Sequence, residues 1–172
     1  NSCAKLLQEL TAGTHDEVLA ALYALDGTQA SLDRAQERAA QVVRSFAEIF
    51  TPEEHASVAL FSGPGRTEIG GNHTDHNNGV VIAAAVNLDI IAVVAKNDEN
   101  VVRVISHGFG KIDDVNLRDL TPQPVEAEHS ASLIRGVAAG IVKDGGKVGG
   151  FDCYTTSDVL GGSGLSSSAA FE

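Results

Sequence analysis

The spacing of apolar residues changes once along the chain, and this change sets the class of fold. Up to about residue 50 the apolar residues recur every three or four positions, as at Val42, Val43 and Phe46, a spacing typical of helices. From Ser57 onward, short apolar runs bounded by Gly, Asn or Asp favour strands, with helical spacing again over residues 129–146. We therefore predict an α+β fold in which a helical N-terminal part precedes a mixed sheet.

Composition and charge narrow the classes of function. The chain has 172 residues, 43% of them hydrophobic, which is enough for one domain with a buried core. Because 23 acidic and 12 scattered basic residues give a net charge of −11, we expect no nucleic-acid partner. Asn87 and Asp89 interrupt the longest apolar stretch, so we expect no membrane span. Cys3 and Cys153 are expected to be free thiols, Cys153 in the core, in a reducing and therefore cytoplasmic compartment.

One short segment concentrates most of the chemistry. Residues 65–79, GRTEIGGNHTDHNNG, place an arginine, a glutamate, two histidines, an aspartate and three asparagines between glycines. Such a set could hold a metal, supply a catalytic base, line a sugar pocket or form a solvated turn. A transition-metal site built from His73, Asp75 and His76 is disfavoured, because alternation in an extended segment would turn His76 away from the other two. The remaining alternatives stay open on the residues alone.

A second segment favours anion binding. Residues 161–172, GGSGLSSSAAFE, follow a predicted strand and run into helical spacing. Glycines let several backbone N–H groups converge, and the start of a helix adds unpaired donors and partial positive charge. The segment differs from the GxxxxGK[ST] phosphate loop, since it has no lysine. Taken alone it predicts either a phosphate site or a Gly/Ser-rich turn before a helix.

The two segments together resemble a known family. The first is similar to the motif G-R-x-N-x-I-G-E-H-T-D-Y-N-x-G, and the second, about ninety residues later, to P-x-G-x-G-L-S-S-S-A. In this order they are the N-terminal signatures of the galactokinases, within the GHMP sugar kinase superfamily. Asn72 stands where that family has a glutamate. The resemblance implies the ribosomal protein S5 domain 2-like fold of the GHMP kinase N-terminal domain over residues 57–172, with residues 1–56 as an N-terminal helical extension.

The resemblance also implies an activity and a division of roles. The activity is transfer of the γ-phosphoryl group of ATP, with Mg²⁺, to the anomeric hydroxyl of galactose or a close relative. Arg66 is expected to be catalytic, because its guanidinium stays charged and can stabilise the transferred group. Asn72, His73 and Asp75 are expected to bind the sugar, since an ionised carboxylate can accept from two adjacent hydroxyls. The nucleotide-binding residues would be Gly162, Ser163, Gly164, Leu165, Ser166, Ser167 and Ser168, with Ser168 also facing the metal.

Two further expectations complete the prediction. The family's aspartate base belongs to a motif beyond residue 172, so we expect the 172-residue chain to be a poor catalyst by itself. The same superfamily includes galactose sensors that bind sugar and ATP without turnover, which makes a sensor the alternative to an enzyme. Consumption of ATP in the presence of galactose separates the two.

Overall fold

The structure is a computed structural model, and the following sections concern the residues that it describes. These are residues 1–52, 56–71, 74, 77–108, 114–159, 164–165 and 170–171. Among them the model contains four α-helices, one short 3₁₀-helix over Pro124–Glu126 and five strands.

The helices fall into an N-terminal group of three and a later single helix. They are α1 (Cys3–Thr11), α2 (Asp16–Tyr23), α3 (Gln29–Phe50) and α4 (Ser130–Lys143). Two of the N-terminal helices have side-chain caps, from Ser2 to the amide of Lys5 and from Thr28 to the amide of Ser31. Such caps satisfy amides that have no partner within the helix.

The five strands form one mixed sheet. They are β1 (Val58–Gly70), β2 (Ile82–Lys96), β3 (Val101–Ser106), β4 (Val115–Asn116) and β5 (Phe151–Ser157). Their order is β1-β2-β5-β3-β4, and every neighbouring pair is antiparallel except the parallel pair of β5 and β3. The predicted α+β class is therefore present.

The two faces of the sheet carry separate hydrophobic clusters. Ile91, Val93 and Ala95 of β2 pack with α1, α2 and α3, whereas Ala92 and Val94 belong to the cluster that contains α4. This alternation follows from the two-residue period of a strand. Val42, Val43 and Phe46 of α3 are among the most deeply buried side chains, as the helical spacing predicts.

Several sequence predictions at element boundaries were wrong. The apolar runs 79–86 and 89–95 each predict a strand, but β2 is continuous from Ile82 to Lys96. The run 57–61 predicts a short first strand, whereas β1 extends to Gly70. Both errors have one cause: polar residues and glycines were interpreted as strand ends, while cross-strand pairing keeps these segments extended.

Two smaller predictions can also be compared with the structure. The two cysteines are free, and Cys153 in β5 is buried, which raises the pKa of its thiol to about 12. Within the described part of the chain, no helix is long and apolar enough to cross a membrane. The division of the chain into a helical extension over residues 1–56 and a domain over residues 57–172 stays a prediction.

Candidate functional site

The first polar segment begins inside β1. Pro64 pairs with Asp89 of β2, but Arg66 pairs with Ala85, so the register shifts around Gly65. Such an irregularity bends a strand and changes the direction of its side chains. Arg66, half-buried, follows directly after this shift.

Two described residues of the second segment, residues 161–172 and here called the serine-rich segment, lie directly against this part of β1. They are Leu165 and Ala170. The backbone N–H of Arg66 donates to the carbonyl oxygen of Leu165 at 3.0 Å. A Cβ atom at Gly65 would stand 3.0 Å from the same carbonyl oxygen, and one at Gly63 would stand 2.5 Å from the carbonyl oxygen of Ala170. Gly63 and Gly65 therefore allow Leu165 and Ala170 to approach the strand backbone.

The turn between β1 and β2 is organised around Thr74. Its hydroxyl donates to the carbonyl of Gly71 at 2.7 Å, and its own carbonyl accepts from the amides of Asn77 at 3.0 Å and Gly79 at 2.8 Å. Gly71 and Asn78 have positive φ angles of 121° and 61°, a region that favours Gly and Asn. Motif residues in the described part of this turn thus fix its shape.

A buried acidic residue, Asp89, lies beside Asp158, three residues before the serine-rich segment. Its side chain is 3% exposed and accepts hydrogen bonds from the Tyr23 hydroxyl at 2.5 Å, the Ser62 hydroxyl at 2.5 Å and the Arg38 guanidinium at 2.6 Å. Burial and the Asp89 carboxylate raise the pKa of the Tyr23 phenol, so this hydroxyl stays protonated and can donate. Sequence reasoning had treated Asp89 only as an interruption of an apolar run.

One signal in the sequence could have identified Asp89. Asp89, Ile91, Val93 and Ala95 share one face of β2, and all four are buried. Strict alternation continued back from Ile91 places Asp89 on the helix-covered face. A buried carboxylate on such a face needs charged and polar partners.

The predicted site residues divide into those that the structure describes and those outside it. Arg66, Gly164 and Leu165 are described, and the structure brings the first and last of these together. The others lie outside the described residues, so their assignment stays a prediction; they are Asn72, His73, Asp75, Gly162, Ser163, Ser166, Ser167 and Ser168.

The described residues contain no group of three or more His, Cys, Asp or Glu side chains that could hold a metal ion. His73, Asp75 and His76 lie outside them, so the disfavoured transition-metal alternative is not tested. A magnesium ion carried by ATP makes a smaller demand, because phosphate oxygens and waters supply most of its ligands.

Comparison with known proteins connects this geometry to a family. The galactokinase galactose-binding signature matches residues 44–96. Galactokinases from Clostridium tetani and Chloroflexus aurantiacus are both 35% identical to the chain, over 117 and 118 residues respectively. These alignments cover 67% and 69% of the chain. The chain belongs to the galactokinase family.

The chain corresponds to an N-terminal portion of these relatives. It spans only 29% and 30% of the length of the two curated galactokinases. The family resemblance that the two motifs indicate is confirmed.

Solved structures support the fold. The crystal structure of Lactococcus lactis galactokinase complexed with galactose superposes with a TM-score of 0.65 and 26% identity, covering 75% of the chain and 33% of that protein. The Methanococcus jannaschii mevalonate kinase superposes with a TM-score of 0.53 at 17% identity, covering 67% of the chain and 37% of that protein. The predicted fold of the GHMP kinase N-terminal domain is thereby confirmed.

Proposed function

We propose that the full-length protein is a sugar 1-kinase that transfers the γ-phosphoryl group of ATP to the anomeric hydroxyl of galactose or a close relative. The observation that carries this proposal is the hydrogen bond from the Arg66 amide to the Leu165 carbonyl. It joins the segment proposed to bind sugar to the segment proposed to bind phosphate. A kinase needs these two segments side by side, because its substrates must react in line.

Arg66 is proposed to orient the reacting hydroxyl and to stabilise the transferred group. Phosphoryl transfer asks the protein mainly for positioning and for charge opposite the phosphoryl oxygens. Arg66 satisfies both needs by its permanent charge and by its place on a paired strand, one residue after the register shift. Its backbone is additionally fixed through Leu165.

Asn72, His73 and Asp75 are proposed to bind the sugar. In the sequence they stand on either side of Thr74, whose hydrogen bonds fix the described residues of this turn. An Asp75 carboxylate that accepts from two adjacent hydroxyls would leave one acceptor site unpaired with an epimer, at a cost of about 1–3 kcal/mol. Asn72 stands where the family has a glutamate, so an amide that both accepts and donates replaces a carboxylate that only accepts. The proposed substrates therefore include relatives of galactose.

The loop over residues 162–168 is proposed to bind the ATP phosphates. Its small residues and backbone amides suit an anion, and its described residue Leu165 lies close to β1, as does Ala170 shortly after the loop. Ser168 would hold Mg²⁺ through its hydroxyl, and the ion would neutralise charge on the phosphates. The protein is further proposed to be cytoplasmic, as its composition suggests.

The test of the reaction is ADP release by the full-length protein. The sugars are galactose, N-acetylgalactosamine, galacturonate, arabinose and glucose, each with ATP and Mg²⁺. We expect ADP release that depends on galactose or one of its close relatives. No ADP release with any of these sugars would refute the kinase assignment, and tight sugar binding without turnover would support a sensor instead.

Two substitutions test the division of roles. Arg66→Ala should lower kcat more than it weakens sugar binding, because the lost charge acts on the transferred group. Asp75→Ala should abolish sugar binding and selectivity, because it removes the acceptor. Steady-state kinetics and calorimetric titration of the sugar measure both effects, and the opposite pattern would overturn the assignment.

A further inference from the structure

The buried Asp89 joins three parts of the chain that are far apart in sequence. Its hydrogen-bond donors come from α2 through Tyr23, from α3 through Arg38 and from β1 through Ser62. Burial of an ionised carboxylate is costly unless a cation and several donors compensate it. The arrangement therefore holds two N-terminal helices against the strand that carries Arg66.

Arg38 extends these contacts to Asp158, three residues before the serine-rich segment. Besides the Asp89 carboxylate, its guanidinium donates to the Asp89 carbonyl at 3.2 Å, and its Nε atom lies 3.2 Å from the carboxylate of Asp158. It also lies over the Tyr23 ring, 5.7 Å from the ring centroid. A planar guanidinium can serve all these partners at once, whereas a lysine ammonium serves as a single point charge.

Asp158 is held at its backbone as well. Its amide donates to the Asp89 carbonyl at 2.9 Å, so Asp89 and Arg38 fix both its main chain and its side chain. The next residue, Val159, is 3% exposed and exchanges hydrogen bonds with the Ser157 hydroxyl. One Val159 methyl group would stand 3.1 Å from a Cβ atom at Gly65.

The chain is thus held against β1 and β2 on both sides of residues 160–163. Before them, Val159 packs on Gly65 and Asp158 is held by Arg38 and Asp89. After them, Leu165 accepts from the Arg66 amide. The first attachment depends on a charged side chain of helix α3, a helix that the family's two motifs do not include.

We propose that Tyr23, Arg38, Asp89 and Asp158, here called the anchoring cluster, position the serine-rich segment for the phosphates of the nucleotide. The residues of the cluster are positioning residues, because they act through the backbone of residues 158–165 and not by contact with substrate. The proposal rests on the proposed kinase function. It adds that helices α2 and α3, which carry Tyr23 and Arg38, affect the KM for ATP.

A matched pair of substitutions separates positioning from stability. Arg38→Lys keeps the charge but loses the planar guanidinium. Arg135→Lys makes the same change in a buried arginine that pairs with Glu126. We expect Arg38→Lys to raise the KM for ATP about tenfold with the KM for sugar unchanged, since small misplacement of reacting groups is costly. Arg135→Lys should lower stability and leave the KM for ATP unchanged.

A milder variant guards against misfolding. Asp158 is 52% exposed at its side chain, so Asp158→Asn should fold and should raise the KM for ATP about threefold or more. If the KM for ATP stays at the wild-type value in both Arg38→Lys and Asp158→Asn, the positioning role is overturned. This holds whether or not the two variants are less stable than the wild type.

A readout without turnover keeps this test independent of the proposed activity. Hydrogen exchange of the amides of residues 158–165 should be faster in Arg38→Lys than in the wild type, and equal to the wild type in Arg135→Lys. Unchanged exchange in Arg38→Lys would overturn the anchoring even if the protein is a kinase. A protein that shows the faster exchange but no ADP release would refute the kinase and retain the anchoring.

Discussion

Two arginine–carboxylate clusters of similar chemistry occupy different places in the molecule. Arg38 and Asp89 lie 51 positions apart in sequence and connect α3 to the middle of the sheet. Arg135 and Glu126 lie nine positions apart, and their two hydrogen bonds of 2.7 and 2.6 Å form a bidentate pair between α4 and the 3₁₀-helix. The first cluster joins elements around the candidate site, whereas the second closes a local connection.

The partners of the second arginine show why its role is local. Arg135 is 7% exposed and donates to the carbonyl oxygens of Asn116 and Asp119. Asn116 ends β4, and Asp119 and Glu126 lie in the connection between β4 and α4. The hydrogen bonds of Arg135 therefore stabilise this local part of the chain, and its described partners lie outside the two motif segments.

The comparison teaches that burial and pairing alone do not mark a functional residue. Both arginines are well paired, and both carboxylates are mostly buried. What distinguishes Arg38 is the set of elements that it joins.

The largest effect is expected for Arg38→Met. This change leaves the Asp89 carboxylate buried without its cation, and breaking such a pair costs about 3–5 kcal/mol in the free energy of unfolding. Urea unfolding followed by circular dichroism measures the loss. A loss well under about 1 kcal/mol, the size expected of an exposed ion pair, would show that Asp89 is not the buried charge described here.

A smaller effect is expected for Arg135→Met. Glu126 keeps 12% of its side chain exposed, so it can regain water more readily than Asp89, and we expect a loss of about 2–3 kcal/mol. The same urea experiment applies, with the KM for ATP measured beside it. A raised KM for ATP in this variant would remove the distinction between the two clusters.

The smallest effect is expected from pH. The hydrogen bonds from Arg135 hold the pKa of the Glu126 carboxyl below its usual value, which is about 4.3 in unfolded chains. Because the folded-state pKa is the lower one, this contribution is complete above the unfolded pKa and is lost as the pH falls through the folded value.

Unfolding free energies measured between about pH 6 and pH 3 test this linkage. The wild type should lose more stability over this range than Arg135→Met, in which the carboxyl has no guanidinium partner. Equal losses in the two proteins would contradict the pairing.

Part of this structure could be predicted from the sequence because it depends on local periodicity. The buried face of α3, with Val42, Val43 and Phe46, follows from spacing of three and four. The same rule was less successful at the edges of the helical region. Leu22 and Leu25 share the spacing, yet they are 47% and 71% exposed, because a stripe is buried only where another element covers it.

The rest depended on contacts between distant residues. Asp89 has partners 27, 51 and 66 positions away, and no local pattern contains that information. The two motifs could be identified by resemblance, but the contact between Arg66 and Leu165 joins residues about a hundred positions apart. Single-sequence reasoning thus identified the segments of the site and missed the cluster that supports them.

The central claim is that the two motif segments form one phosphoryl-transfer site on β1. The most direct test is a crystal structure of the full-length protein with galactose, Mg²⁺ and a non-hydrolysable ATP analogue. We expect the phosphates against residues 162–168, the Arg66 guanidinium within hydrogen-bonding distance of the γ-phosphate, and the sugar beside Asp75. A nucleotide bound away from the serine-rich segment, with Arg66 far from its phosphates, would contradict the claim.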